Sequence, residues 1–393
     1  MDYHSGWHLL QIPGPTNVPA RVLAALAEPT IDHRGKTFAD LAQEVHAGIS
    51  QVAQASGTPI LFPSSGTGAW EAALVNTLSP GDRVLMFETG HFATLWRDMA
   101  LQWGLQVEFL SGDWRHGIDP AAVEAALRRD SDHRIRAVMA VHNETSTGIC
   151  SPIPAVRRIM NQLAHPALLM VDTISSLGSI DYRHDEWEVD VMVGCSQKGL
   201  MVPPGIGINI VSEKAWRYAE SSRLPKSYWN WQAMKTVGRS GFFPYTPPTN
   251  LLYGLREALR LILAEGLPHV FARHARLAEA TRQAVSGWGL ELLCANPKEY
   301  SNSLTAVILP PGYDTTAFCQ MTAEAFNLSL GQGLGRLRGR VFRIGHLGDL
   351  NELMLLGALG GLETALKRAG IPCQPQGLPA AIGYLGRTSP SAS

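Results

Sequence analysis

The chain has 393 residues, with 33 Lys and Arg against 34 Asp and Glu and a formal net charge of -1. That balance offers no basic surface for nucleic acid or for an anionic membrane, so the expected partner is a small molecule. Five scattered cysteines (Cys150, Cys195, Cys294, Cys319 and Cys373) without a C-x-x-C pair argue against a disulfide framework and structural zinc, and no metal site is expected.

The opening "MDYHSGWHLLQIPGPTNVP" has neither a basic region nor a sustained apolar core, and the chain ends "TSPSAS" rather than in a peroxisomal tripeptide. No apolar run reaches about 18 residues, and a cytoplasmic location is the expectation. Strand-length apolar runs then alternate with helical patterns: "TPILF" (58–62), "RVLMF" (83–87), "QVEFL" (106–110), "RAVMAV" (136–141), "ALLMV" (167–171), "VDVMVG" (189–194) and "GINIV" (207–211). This is the signature of βαβ units on a mostly parallel sheet, so the fold class is α/β. Ligands of such sheets bind beyond the carboxyl ends of the strands, and "FPSSGTG", "ETGHF", "HNETSTG", "DTISS" and "CSQKG" should converge there.

From about Thr249 the pattern becomes long amphipathic helix, with breaks at Gly266-Leu267-Pro268 and at Gly287. "SLTAVILP" (303–310), a helix near 315–326, "RVFRIG" (340–345) and a helix near 350–369 follow as a βαβα series. At about 100–200 residues per domain, two domains are expected: an N-terminal segment 1–20, a large domain 21–265 and a small C-terminal α/β domain 266–393. The last twenty or so residues, rich in Gly, Pro and Ser, read as loosely packed.

The small residues of "SSGTGAWEAALVNTL" leave backbone N–H groups at a helix N-terminus, where an anion such as phosphate is favoured and Thr67 adds a hydroxyl. An ordinary Ser/Thr-capped turn is the competing reading, and the absence of a P-loop lysine argues against a nucleotide triphosphate. Asp172 ends a continuous apolar run, where a carboxylate needs a cation such as a protonated pyridine nitrogen; alternatively it caps the segment that follows. Lys198, after "VMVGCSQ", would have its amine deprotonated by apolar surroundings for Schiff-base chemistry, unless it reaches solvent or pairs with an acid.

Together a phosphate cup, a ring-nitrogen acid and a desolvated lysine are what pyridoxal 5'-phosphate (PLP) requires. "GCSQKG" also approximates a serine-hydrolase elbow, but G-x-S-x-G needs glycine where Lys198 stands. Phe92 is placed to stack on an aromatic ring, with His91 as competing stacker and plain packing as the alternative. Thr145 is a candidate to hydrogen-bond a phenolic oxygen, or simply part of a polar loop. Arg343, between apolar neighbours, needs an anion, either a substrate carboxylate or a structural salt bridge.

The stretches "PGPTNVP", "DHRG", "PSSGTGAWEAALVNTLSPGD", "VHNETSTG", "VDTISSLGSIDYRHDEW", "SQKGLMVPPG", "FPYTPPTNLLYGLREA" and "VFRIGHLGDLNEL" carry a further signal. In these the chain resembles the class V, fold-type I PLP-dependent aminotransferases of the alanine-glyoxylate/serine-glyoxylate group. The resemblance implies that Lys198 is the Schiff-base lysine and Asp172 the pyridine-nitrogen partner, with Ser65, Gly66, Thr67 and Gln197 on the phosphate. It implies that Phe92 stacks on the ring and that Arg343 holds the substrate carboxylate. Pro13, Gly14 and Pro15 would line the substrate pocket, and Thr246 and Tyr245 would reach the phosphate from the neighbouring subunit of a homodimer with shared sites. "LMVPPGIGIN" departs from the commoner family form only in apolar residues.

The reaction so implied is transamination from L-serine to glyoxylate, giving hydroxypyruvate and glycine, with alanine or another small amino acid as alternative donor. Cysteine desulfurase chemistry needs a cysteine in "GQGLGRLRGRVFRIGHLG" (331–348), which has none. A non-catalytic protein that binds PLP or an amino acid is the rival from another class, although the lysine, the acid and the arginine are all present.

Overall fold

Strands that are apolar on both faces need cover on both, and the central sheet has it. The computed structural model describes residues 6–238 and 240–387. Seven strands lie side by side in the order Ile60–Ser64, Gly205–Val211, Val191–Cys195, Leu168–Asp172, Ile135–Val141, Arg83–Phe87 and Gln106–Leu110. Gly205–Val211 runs against both of its neighbours, and the other pairings are parallel. Alternate residues enter two apolar clusters. Leu85, Val138, Leu169 and Ile208 pack with the helices Lys36–Ala53 and Thr249–Glu265. Val84, Met139, Met170 and Val193 pack with Trp70, Leu74 and Trp96 from the helices Gly66–Thr77 and His91–Gln102.

The second sheet has five strands, in the order Leu9–Gln11, Leu328–Gln332, Val341–Gly345, Leu304–Ile308 and Glu291–Leu292. The four elements expected as a βαβα series are present, as Leu304–Ile308, Thr315–Phe326, Val341–Gly345 and Glu352–Arg368, and further strands join their sheet. The sheet is mostly antiparallel, and its one parallel pair joins Leu9–Gln11 to Leu328–Gln332. Neither of those two strands was legible as a strand. Leu9–Gln11 has only three residues, and Leu328–Gln332 leaves the helix Thr315–Phe326 through the single left-handed residue Asn327, at φ 51°, with no Gly or Pro between them.

The expectation of a loose tail is corrected. Gly377–Arg387 is a helix with Gly377, Ala381 and Leu385 buried, and it packs on the helices Leu267–Gly287 and Glu352–Arg368. The last part of the tail, 388–393, lies outside the described residues. No helix among the described residues is long and apolar enough to cross a membrane, and no cluster of His, Cys, Asp or Glu there could hold a metal ion.

Candidate active site

The parallel strands deliver their loops to one end of the central sheet, where the loops holding Lys198, Asp172 and Gly66 come together. The strand Val191–Cys195 is buried throughout and runs into a loop closed on itself: the Ser196 hydroxyl donates to Pro203 O at 2.8 Å, and the Met201 N–H donates to Lys198 O at 3.0 Å. Lys198 is half-buried and pairs with no acid among the described residues. Its Nζ donates to Pro13 O at 2.8 Å. The Thr16 N–H and hydroxyl donate to the carbonyls of Gln197 and Lys198 at 3.3 and 3.1 Å, so the N-terminal segment clamps the lysine loop. Gly14 has φ +105°, and a Cβ there would fall 2.4 Å from Lys198 Cδ, so a side chain would strain the backbone and displace the lysine. Burial pushes the Lys198 amine below its ordinary value; Cys195 and Asp172 oppose this and Arg343 adds to it.

Asp172 ends the strand Leu168–Asp172 and is 3% exposed. Its Oδ1 accepts the Ile174 N–H at 2.7 Å and its Oδ2 the Trp70 indole N–H at 3.1 Å. The first bond is the local cap expected as the alternative reading, yet it leaves the carboxylate without an ion pair. Burial pushes the carboxyl up to about 7, with the Ile174 N–H opposing, Glu144 adding to the rise, and the Trp70 N–H and Lys198 opposing.

Ser65 is the N-cap of Gly66–Thr77 and makes no side-chain capping bond, so the first N–H groups of that helix stay open to a ligand. Ser65 and Thr67 are exposed and Gly66 is buried. A Cβ on Gly66 would come 2.3 Å from Ile174 Cδ1, so glycine lets the cup sit directly against the segment after Asp172. Beside Lys198, Gln197 Oε1 is buried without a hydrogen-bond partner, as is the Tyr245 hydroxyl.

Arg343, 7% exposed on the strand Val341–Gly345, also corrects its bland alternative. No carboxylate ion pair engages it among the described residues. Its Nε and Nη2 donate to Gln332 O at 3.0 and 2.8 Å, and its Nη1 donates to Thr145 O at 2.8 Å. A guanidinium has five N–H donors, so one remains on each terminal nitrogen for a further acceptor. Burial lowers the group to about 10, with Glu144 opposing, which leaves it charged at neutral pH.

Phe92 is half-buried at the start of His91–Gln102, packs against the Trp70–Trp96 cluster, and meets the His91 ring edge-on at 5.7 Å. The Thr145 hydroxyl donates to Ser175 Oγ at 2.8 Å. Tyr245 stacks on Tyr228 at 4.3 Å; Thr246 is exposed on the same loop and makes no hydrogen bond to the residues around Lys198 among those described. A cavity of about 320 Å³ lined by His46, Trp216, Lys235 and Phe243 shares none of these residues.

Two residues here escape sequence reasoning. Glu144 is fully buried and accepts the Phe92 and Ala93 N–H groups at 3.3 and 3.0 Å, together with the Ser146 N–H and hydroxyl at 3.0 and 2.7 Å. Trp70 reads in the sequence as one more apolar residue of its helix. The only signal available for Glu144 was an acid inside an otherwise neutral loop.

The architecture is that of the fold-type I PLP-dependent aminotransferases. The family model "Aminotransferase class-V" matches residues 8–333, and the chain belongs to that family, whose members act on amino and oxo acids. It is 47% identical over 394 residues, 98% of each chain, to a serine–glyoxylate aminotransferase of Methylorubrum extorquens. It is 43% identical, over 97% of each chain, to an L-aspartate–glyoxylate aminotransferase of Paracoccus denitrificans. The solved structure of pyridoxamine–pyruvate aminotransferase from Mesorhizobium loti superposes with a TM-score of 0.92 at 28% identity, covering 99% of this chain and 100% of that one.

Proposed function

We propose that this protein is a PLP-dependent serine–glyoxylate aminotransferase, forming hydroxypyruvate and glycine, with the large and small domains divided near residue 265. The observation that carries this reading is a half-buried lysine and a buried guanidinium, neither of which forms an ion pair among the described residues. An amino acid substrate supplies the missing anion. The donor follows the name of the Methylorubrum relative.

The residues fit the cofactor. Lys198 would hold its aldehyde, the open N–H groups and hydroxyls of Ser65, Gly66 and Thr67 with Gln197 its phosphate, and Asp172 its ring nitrogen. Phe92 would cover the ring face and Thr145 would meet the phenolic oxygen. Thr246 and Tyr245 would reach the phosphate from the partner subunit of a cytoplasmic homodimer. When bound, PLP supplies an electron sink for the charge left on the substrate Cα. Arg343 fixes the carboxylate with its two remaining N–H groups, Pro13 to Pro15 border the pocket, and the Lys198 amine, lowered by burial, takes the Cα proton and returns it.

The test adds L-serine and L-alanine separately to the purified protein and follows the visible band of the bound cofactor. Serine should bleach it, and glyoxylate should restore it with glycine and hydroxypyruvate formed; the alanine trace ranks the donors. A band that no amino acid changes would overturn the proposal in favour of a binding protein.

A further inference from the structure

Trp70 has no part in the roles above, yet it bonds one of those residues directly and shares a helix or a stacked pair with others. It lies one turn along Gly66–Thr77 from the open N–H groups at Gly66 and Thr67, and is 2% exposed. Its indole N–H donates to Asp172 Oδ2 at 3.1 Å. Its ring stacks on Trp96 at 5.7 Å, with the planes 13° apart, and Trp96 belongs to the helix that begins at His91 and Phe92.

The two oxygens of Asp172 are held differently. Oδ1 is held by the Ile174 main-chain N–H, which any replacement of Ile174 other than proline would keep, whereas Oδ2 is held by the indole. Packing alone does not require that bond, because Trp96, equally buried in the same pair, has an Nε1 with no partner. We propose that Trp70 is a positioning residue for the cofactor: its indole N–H orients Asp172 as a carboxylate toward the ring nitrogen, on the same helix whose N-terminus receives the phosphate. The inference rests on the PLP reading above.

The matched variants are Trp70→Phe, which keeps an aromatic ring and deletes the N–H, and Trp96→Phe, which perturbs the stack and leaves the Asp172 bond in place. Holoenzyme of each is dialysed across a pH series, and retained cofactor is read from its absorbance. A hydrogen bond to a charged group favours the charged form, so Trp70→Phe should shed cofactor at a higher pH than wild type. At neutral pH it should hold cofactor about tenfold more weakly, the size of such a lost bond, while Trp96→Phe should follow wild type.

Equal behaviour of the two variants overturns the inference. A wild type that retains no cofactor at any pH overturns the PLP reading instead. Should Trp70→Phe fail to fold, cofactor-free wild type and Asp172→Asn labelled with 15N-tryptophan decide the matter: one indole N–H resonance should move between them, and a spectrum with none moved overturns the inference.

Discussion

A carboxyl group at the end of an all-apolar strand has lost its water, and Asp172 bears that cost through a dissociation pushed up to about 7, chiefly by burial. In the unfolded chain the same group ionises near the ordinary aspartate value of about 4. Between those two points the folded state holds a proton that the unfolded state has released, so this contribution to stability is full at acid pH and is lost as pH rises through 7. Cofactor-free protein should therefore lose part of its thermal stability between pH 5 and pH 8. In Asp172→Asn, where nothing ionises, that slope should be flatter. Equal slopes in wild type and variant, measured by thermal unfolding without cofactor, would contradict this account. Under the proposed pairing of Asp172 with the cofactor's ring nitrogen, the cation there reverses the balance, so cofactor should stabilise wild type more at pH 8 than at pH 5.

At the scale of elements, the helix His91–Gln102 has no side-chain cap from its own N-cap residue, Gly90; its first N–H, that of His91, donates to Ser146 Oγ, and the next two are satisfied by Glu144, 52 and 51 residues away. Buried donors left unpaired cost about 1–3 kcal/mol each, so Glu144→Ala should destabilise the protein by at least about 2 kcal/mol. Glu144→Gln, which keeps one acceptor oxygen, should lose less than half of that. Denaturant unfolding of the two variants measures the difference, and equal losses would assign the effect to packing rather than to the cap. This contact also marks a boundary of what the sequence discloses. Lys198, Asp172 and Arg343 were legible because each is a polar group in an apolar run, a contradiction visible within about ten residues. Glu144 and Trp70 act through partners about 50 and 100 residues away, and nothing in their own neighbourhoods signals that.

Across the whole molecule the inner strands of the large sheet, such as Leu168–Asp172 and Val191–Cys195, were legible because burial on both faces makes each a continuous apolar run, while the edge strand Gln106–Leu110, with no buried residue, was legible from its alternation and β-forming residues. The small sheet was less so, because two of its strands are short or directly abut a helix. The C-terminal segment was misread for a compositional reason: Gly, Pro and Ser in "PQGLPAAIGYLGRTSPSAS" mask the four-residue spacing of Gly377, Ala381 and Leu385, all buried in the helix Gly377–Arg387. That helix sits close enough to its neighbour that a Cβ on Gly377 would fall 2.0 Å from Trp288 Nε1. Its Leu378 N–H and the Trp288 indole share Glu363 Oε2 at 2.9 and 3.0 Å, and Leu385 O accepts from Arg276 Nη2 at 2.8 Å. Removing everything after Gln376 uncovers Trp288 and deletes Leu385, whose burial is worth about 1.5–3 kcal/mol by itself. The truncated protein should unfold several degrees lower than the full chain. Among the described residues this helix packs chiefly on the helices Leu267–Gly287 and Glu352–Arg368, which carry none of the candidate site residues, so the cofactor band and turnover at 25 °C should remain close to wild type. An unchanged unfolding midpoint would mean that the helix contributes no packing energy in solution, and a lost band at an intact fold would mean that the small domain's outer layer governs the site.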